Sequence, residues 1–430
     1  MIKNIVVSIL LLTSVVVMGQ RTNSSPYSFF GIGDEFSTTT VEQSAMGGIG
    51  VAFSHYKYLN FTNPAAYANL RYSTYSLGLL NNDLTVKTVD TKQSSTSTTL
   101  SYVALAFPIG DKAGFSFGMQ PISSIGYSLS NIEYESDGVT FSKGTVFEGS
   151  GGVNRFYGSF GIKVFKGFSL GIEGDFSFGN LENTIVNQIA DVSLATKYRE
   201  STEVRGGSVK LGAQYEYPLN DKLILTAGAT ARLGTDLSVV GEKLTYTFTG
   251  SEVVRDTLVN ASGDKVIDID GDFNLPLKTT FGVGVGQQDK WYAGVEYESK
   301  NAISTTSVFA NTAAYSFGKA NRISLGGFYL PKINSISSYW NRITYRAGFR
   351  YENTGLLVSN VINNSNFTEI KDFGISFGLG IPLKGLSTIN TGFEFGKRGT
   401  IENNLIEENY FNFRLSLSLS DKWFVQRKID

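Results

Sequence analysis

Few side chains in this sequence are of a kind that does covalent or metal chemistry. Its 430 residues include one histidine, His55, and no cysteine. A serine hydrolase needs His and an acid converging on Ser, and His55 stands apart from every strand-like segment. Thiolate and disulfide chemistry are excluded outright. Glu173 and Asp175, in FSLGIEGDFSFG, are two apart and share one face if the segment is a strand. Such a pair can do acid–base work, but on a strand it serves more readily as half of a structural ion pair. The run Asp264 to Asp272, DKVIDIDGD, offers hard oxygen ligands. It lacks the spacing and terminal bidentate Glu of a calcium loop, and reads as a solvated acidic loop. No glycine-rich loop leads a helix in the manner of a phosphate site. The expectation is therefore a protein that is not an enzyme, with no cofactor and no metal.

Two features carry geometry instead. The stretches AMGGIGVAF (45–53) and LNFTNPAAYANL (59–70) crowd small residues beside an Asn-Pro turn. Gly47 and Gly48 permit backbone conformations closed to other residues. Pro64 fixes its own φ, and Asn63 can bond the turn through its side chain. With Ala65 these residues suit a compact segment squeezed into a confined space. The second feature is Pro121, within FSFGMQPISSIGY (115–127). Proline cannot donate to a β-ladder, so Gln120, Pro121 and Ile122 mark a kink, bulge or break in a strand. The other reading is a strand that ends at Met119 with a longer loop after it.

The elements that must hold these residues are strands. Beyond Leu70 apolar and polar residues alternate with period two. Phe168, Leu170 and Ile172 share one face, opposite Ser169, Gly171 and Glu173. The same rhythm recurs at 281–285, 345–352, 373–381 and 411–419. The apolar face carries almost no charge. The opposite face mixes Gly and Ser with Arg155, Glu173, Lys210, Glu296, Arg350 and Glu394, as a polar lumen behind a lipid-facing wall requires. Composition agrees: 17% charged residues, 13% aromatic and 47 glycines, against roughly 25% charged in soluble domains.

Short links near 108–113, 165–167, 218–222, 287–290, 331–341 and 382–386 alternate with long ones near 81–97, 128–152, 181–204, 235–275, 299–320, 353–371 and 397–407. Outer-membrane barrels alternate in this way, and thirteen links imply about fourteen strands. Thr306 to Phe317 is taken as loop or strand extension. Phe107, Phe165, Tyr217, Trp291 and Tyr292 beside the short links suit an interfacial girdle. The fold expected is all-β: a transmembrane antiparallel barrel with an N-terminal hatch inside its lumen. Residues 1–19 read as a signal peptide, with an apolar run too short to span a bilayer. Residues 20–70 read as the hatch, 71–419 as the barrel and 420–430 as a periplasmic tail. A net charge of −1 gives no electrostatic case for nucleic acid. The partners expected are outer-membrane lipid and lipopolysaccharide, of a Gram-negative cell.

Residues 44–70, SAMGGIGVAFSHYKYLNFTNPAAYANL, resemble the N-terminal segment of the FadL-type outer-membrane transporters. The resemblance implies a fourteen-stranded barrel, a hatch with Gly47, Gly48, Asn63, Pro64 and Ala65 at its gate, and passage of hydrophobic molecules such as fatty acids. It also implies a lateral opening at a kink in the third strand, where Gln120, Pro121 and Ile122 fall. The ends, SSPYSFFGIGD (24–34) and GKRGTIENNLIEENYF…DKWF (396–424), resemble FadL-related proteins of the Bacteroidetes. One of these is the Plug of the type IX secretion translocon, which implies a large translocon subunit as an alternative partner. Lumen-facing positions are mostly Gly, Ser and charged, with no apolar pocket signature, which departs from the transporters.

Overall fold

The computed structural model describes residues 23–134, 141–249, 254–259, 263–304, 315–359, 367–383 and 385–422. Residues 1–19, expected to be a signal peptide, and most of the expected 420–430 tail lie outside these residues, as does most of 306–317.

Alternating sequence forms strands throughout. Strand β1 is a two-residue piece, Asp34–Glu35. The wall then runs through β2 (Ser73–Lys87), β3 (Lys92–Ile109), β4 (Ala113–Ile125), β5 (Ser128–Tyr134) and β6 (Phe141–Phe165). It continues in β7 (Phe168–Ile189), β8 (Ala195–Pro218), β9 (Ile224–Arg232), β10 (Thr235–Phe248) and the short β11 (Val254–Thr257). Next come β12 (Val266–Leu275), β13 (Lys278–Gln287), β14 (Trp291–Lys300), β15 (Tyr315–Phe317) and β16 (Ala320–Tyr329). The last four are β17 (Thr344–Val358), β18 (Thr368–Pro382), β19 (Thr388–Gly399) and β20 (Glu407–Asp421).

Neighbours in sequence pair antiparallel around the wall. The ring closes where β2 pairs with β20, from Ser73↔Asp421 to Lys87↔Glu407. Several wall strands are interrupted. β4 and β5 both pair with β6, β9 and β10 both pair with β8, and β12 and β13 pair with β10 and β9 in turn. β15 pairs with β17 alongside β16, so Tyr315–Phe317 is a strand extension and the count stays even. Merging these pieces gives a closed barrel of fourteen strands.

The alternation sorts side chains as lipid requires. Leu170 and Ile172 are exposed while Ser169 and Glu173 are buried, and the pattern repeats at Phe281, Val283, Ile375 and Phe377. Among the described residues the closed ring pairs its lipid-facing backbone from strand to strand, as lipid demands. Three expectations need correcting. Tyr292 is buried and stacks inward on Phe53, with ring centroids 5.0 Å apart. It shares the inner face with Glu296 and so is no part of an outer girdle. The long links are also largely strand: β5, β10, β12 and the far ends of β6, β7 and β8 fill them. Outside the bilayer both faces are wet, so alternation fades while Thr, Val and Tyr still favour pairing. The acidic run lies on β12 rather than in a loop, with Asp268, Asp270 and Asp272 exposed at every second position.

A lipid-facing position tests this orientation. Phe281→Arg, on the exposed apolar face of β13, is expected to cost about 2–4 kcal/mol in equilibrium unfolding from lipid vesicles. Gln287→Arg, at the strand's end, should cost less than about 1 kcal/mol.

Candidate functional site

Residues 23–70 touch the face of the wall opposite the exposed apolar side chains. A single helical turn, Val41–Ser44, opens with a reciprocal cap. The Gln43 N–H donates to Thr40 Oγ1 at 3.2 Å, and the Thr40 N–H donates to Gln43 Oε1 at 3.0 Å. After it the chain turns tightly through Gly47 and Gly48, with φ of 71° and 83°. The Gly47 N–H donates to Ser376 Oγ at 2.9 Å. A Cβ there would lie 2.7 Å from the carbonyl oxygens of Leu325 and Phe349. Two further amides, of Gly50 and Val51, both donate to Glu296 Oε2 at 2.8 Å.

The Asn-Pro-Ala turn begins a 3₁₀ helix, Pro64–Asn69. Asn63 caps it, accepting from the Ala65 N–H at 3.0 Å, and its Nδ2 donates to the carbonyls of Val51 (2.7 Å) and Ala213 (3.0 Å). The turn rests on a row of glycines. Gly114 pairs with Gly161, Gly161 with Gly171 and Gly171 with Gly212 across four adjacent strands. A Cβ on Gly161 or Gly171 would lie within 2.4 Å of Pro64 or Ala65 backbone, and one on Gly212 would lie 2.1 Å from Asn63 Oδ1. A Cβ on Gly114 would meet the Tyr67 carbonyl at 2.2 Å. Sequence reasoning missed this floor. Its trace is a glycine at an inward position on each of four successive strands.

Asn60 was missed as well. It is buried, and its Nδ2 donates to the carbonyls of Gly50 (2.8 Å) and Phe53 (2.7 Å). Its Oδ1 accepts from Gln43 Nε2 at 3.0 Å and from the Thr62 and Asn63 amides, both at 2.9 Å. One amide side chain thus ties together the glycine turn and the proline turn.

Gln120, Pro121 and Ile122 lie on β4 where the wall parts. β3 and β4 pair only from Val103↔Met119 to Ile109↔Ala113. Beyond Met119, β4 keeps its pairing with β6, with a register shift between Pro121 and Ser123. On the parted side Ser123 and Ser124 pair with β1, and the Phe36 N–H donates to the Ile122 carbonyl at 2.9 Å. Residues 32–36 therefore line the opened lip. The two predicted groups do not touch, but a buried chain of polar contacts joins their neighbourhoods. Arg155, fully buried, donates from Nη2 to Gln120 Oε1 at 2.7 Å and from Nη1 to Glu173 Oε1 at 3.0 Å. Lys210 donates to Glu173 Oε1 at 2.8 Å and to the Phe61 carbonyl at 2.7 Å.

Beside Gly47 and Gly48 lies a cavity of about 270 Å³ whose lining mixes charged groups with apolar ones such as Phe30, Ile32, Leu84 and Phe273. Arg350 binds Glu394 (2.8 Å) and Asp372 (3.1 Å), and Arg322 binds Glu298 at 3.1 Å. Arg398 ties to Asp34 and to Glu408, each at 2.6 Å. Among the described residues no group of acids and imidazoles could hold a metal ion.

The BamG family model matches residues 1–430. The chain belongs to the BamG family. Its fold is that of FadL-type channels. The toluene transporter TodX of Pseudomonas putida aligns at 16% identity and a TM-score of 0.55, over 90% of this chain and 99% of that one. A FadL homologue of Pseudomonas aeruginosa aligns at 12% and 0.57, over 90% and 98%. The Ralstonia pickettii toluene transporter TbuX aligns at 15% and 0.54, over 88% and 97%. These are channels and transporters rather than enzymes. No curated protein matches the sequence.

In this BamG-family chain His55 closes the segment at the short-link end. Its Nε2 lies 3.7 Å from Asp289 Oδ1, and its Nδ1 accepts from the Lys57 N–H at 3.3 Å. An accepting Nδ1 fixes the neutral tautomer. Burial, with Lys57 and Arg346 nearby, lowers the imidazole pKa to about 4, although Asp289 opposes the shift. The undocked segment would take up a proton near pH 6.5. Docking is therefore at full strength above that value, and weakens as the pH falls toward 4.

Two outcomes follow for the segment. Gly171→Val should lift the turn off its floor, and trypsin should then cut at Lys57 or Arg71 at least tenfold faster than in the unaltered barrel. In the unaltered barrel the same cleavage should accelerate between pH 6.5 and 4.5, when followed with an acid-tolerant protease. His55→Gln should flatten that dependence.

Proposed function

We propose that this chain is an outer-membrane channel for small hydrophobic molecules, closed at rest by residues 20–70 acting as a hatch. The observation that carries this reading is an apolar patch on the inner wall beside the parted seam. Ile125, Val153, Leu181, Val204, Leu237 and Phe273 form it, and the chain's own Ile32 covers it. An apolar solute leaving through the seam would travel along this surface, and Ile32 holds the place of that solute. Phe29 extends the cover onto Tyr127, with ring centroids 5.3 Å apart. The names of TodX and TbuX as toluene transporters support a hydrophobic substrate. In this reading Gly47, Gly48, Asn63, Pro64 and Ala65 form the gate, and Gln120, Pro121 and Ile122 form the lateral opening. The polar chain from Gln120 to Phe61 then links the opening to the gate.

A second reading is favoured by the ion pairs beside the 270 Å³ cavity, Arg350 with Glu394 and Asp372 and Arg322 with Glu298, which an apolar solute would have to pass. Here the barrel is a plug or accessory subunit of a larger outer-membrane machine, of which the type IX secretion translocon is one case, and it transports nothing.

The test is uptake of radiolabelled toluene or oleate into proteoliposomes. Transport predicts uptake that rises when residues 45–66 are deleted and falls at least tenfold when Ile125→Arg charges the apolar path. Equal uptake with and without protein would sink the channel reading and leave the accessory one.

A further inference from the structure

At the short-link end a second cavity, of about 50 Å³, lies between the segment and the wall. Glu42, Lys57 and Tyr58 line it from the segment, and Arg342 and Arg346 line it from the wall. Arg346 differs from the other arginines of the bore. Arg155, Arg232, Arg322, Arg350, Arg398 and Arg414 each lie within 3.5 Å of a carboxylate. Arg346 is 4% exposed, and among the described residues no carboxylate pairs with it. Its Nη1 donates to Asn390 Oδ1 at 3.2 Å, and its Nη2 donates to no protein group. The bare Cα of Gly380 makes room for the guanidinium, since a Cβ there would lie 2.9 Å from Nη1 and 3.0 Å from Nη2. On the other side of Asn390 stands Glu42, 3% exposed. Its Oε1 accepts from Asn390 Nδ2 at 2.7 Å and from Ser418 Oγ at 3.3 Å, while its Oε2 accepts from nothing on the protein. One cavity is thus lined by a buried cation with a spare donor and a buried carboxylate with a spare acceptor.

We propose that this cavity binds a compact oxyanion that still carries a proton, hydrogen phosphate being the type. One oxygen of such an ion accepts from Arg346 Nη2, and its hydroxyl donates to Glu42 Oε2. The balance of charge asks for an anion. Lys57, Arg342 and Arg346 face the cavity against Glu42 and Asp289. Asp289 already accepts from the Tyr56 hydroxyl at 2.9 Å, with the neutral His55 3.7 Å away. Lys57 and Arg342 lie over the Tyr58 and Tyr339 rings, 5.1 and 4.7 Å from their centroids, rather than against carboxylates. A buried guanidinium without a counter-ion is unfavourable, and its hydrogen bond to a phosphate oxygen is among the stronger kinds. Size agrees: one water needs about 10–15 Å³ on the same measure, so the cavity admits an ion of a few heavy atoms.

Two other occupants fit less well. Water can bridge the two spare atoms but brings no charge to Arg346. A fully deprotonated ion such as sulfate can take the Arg346 donor, but it presents a bare oxygen to the Glu42 carboxylate and is repelled. The pair thus selects for the proton as well as for the charge. Free phosphate and the phosphomonoester head of a lipid both offer this chemistry, whereas a phosphodiester has no proton to give. Glu42 and Lys57 belong to the segment and Arg346 to β17, so the bound ion joins segment to wall at the short-link end. It does so whether or not a solute passes through the barrel.

The experiment is isothermal titration calorimetry of the full-length barrel in detergent near pH 7, with inorganic phosphate, sulfate and dihexanoyl phosphatidic acid as probes. The expected result is one saturable phosphate site that binds sulfate at least tenfold more weakly, the cost of leaving a charged acceptor unpaired. Glu42→Gln, which offers a donor where the carboxylate accepts, should erase that preference. Arg346→Gln should lower phosphate affinity at least tenfold. Competition between phosphatidic acid and phosphate would support the proposal with a lipid head as the source, and phosphate binding that the lipid leaves untouched would support it with the free ion. Absence of saturable phosphate binding to the unaltered barrel, or sulfate bound as tightly as phosphate, would overturn it. So would unchanged phosphate affinity in Arg346→Gln, or a preference kept in Glu42→Gln, each variant first shown to be folded by its heat-modifiable gel shift. The comparison of phosphate with sulfate needs only the unaltered barrel, and decides the matter if a variant fails to fold.

Discussion

Everything inside this barrel depends on how closely a backbone can approach another backbone. A bore lined by ordinary side chains has no room for a folded segment. Here the wall is hollowed where the segment lies. Gly114, Gly161, Gly171 and Gly212 make a floor for the proline turn. A second pair, Gly326 and Gly348, which are register partners, makes room for Met46 and Gly47. Small residues on the segment answer small residues on the wall, and polar groups then find each other. Glu296 can serve two amides of the glycine turn because nothing bulkier intervenes.

The buried charges follow from the same economy of space. Away from bulk water, each buried ion needs a counter-ion and hydrogen bonds across neighbouring strands. Arg155 illustrates this, placed between Gln120 on β4 and the Glu173–Asp175 pair on β7. The two carboxylates that could have suggested catalysis serve instead as ion-pair partners of Arg155, Lys210 and Arg232.

The wall was legible in the sequence because lipid imposes one rule on every strand, and the rule shows as period two. Leu170, Ile172 and Glu173 fall where alternation puts them. The Asn-Pro-Ala turn was also legible, since proline and asparagine act locally, whereas Pro121 left open whether its strand bulges or ends at Met119. What could not be read was whatever depends on register between distant strands. The glycine floor exists only once β4, β6, β7 and β8 are aligned, and Asn60 gains its role only when two turns meet. Tyr292 was misread because one residue of register decides which side of the wall an aromatic occupies. The length of the strands was underestimated because alternation fades where both faces meet water.

The glycine floor also dictates an order of events in time. Its four positions span about a hundred residues of chain, and all of them follow the segment they support. Residues 40–70 leave the synthesis and export machinery first, yet have no place to dock until β8 has joined the sheet. Closing such long-range contacts is slow, and the waiting segment is rich in exposed apolar residues. The segment is thus made before its floor and settles after it.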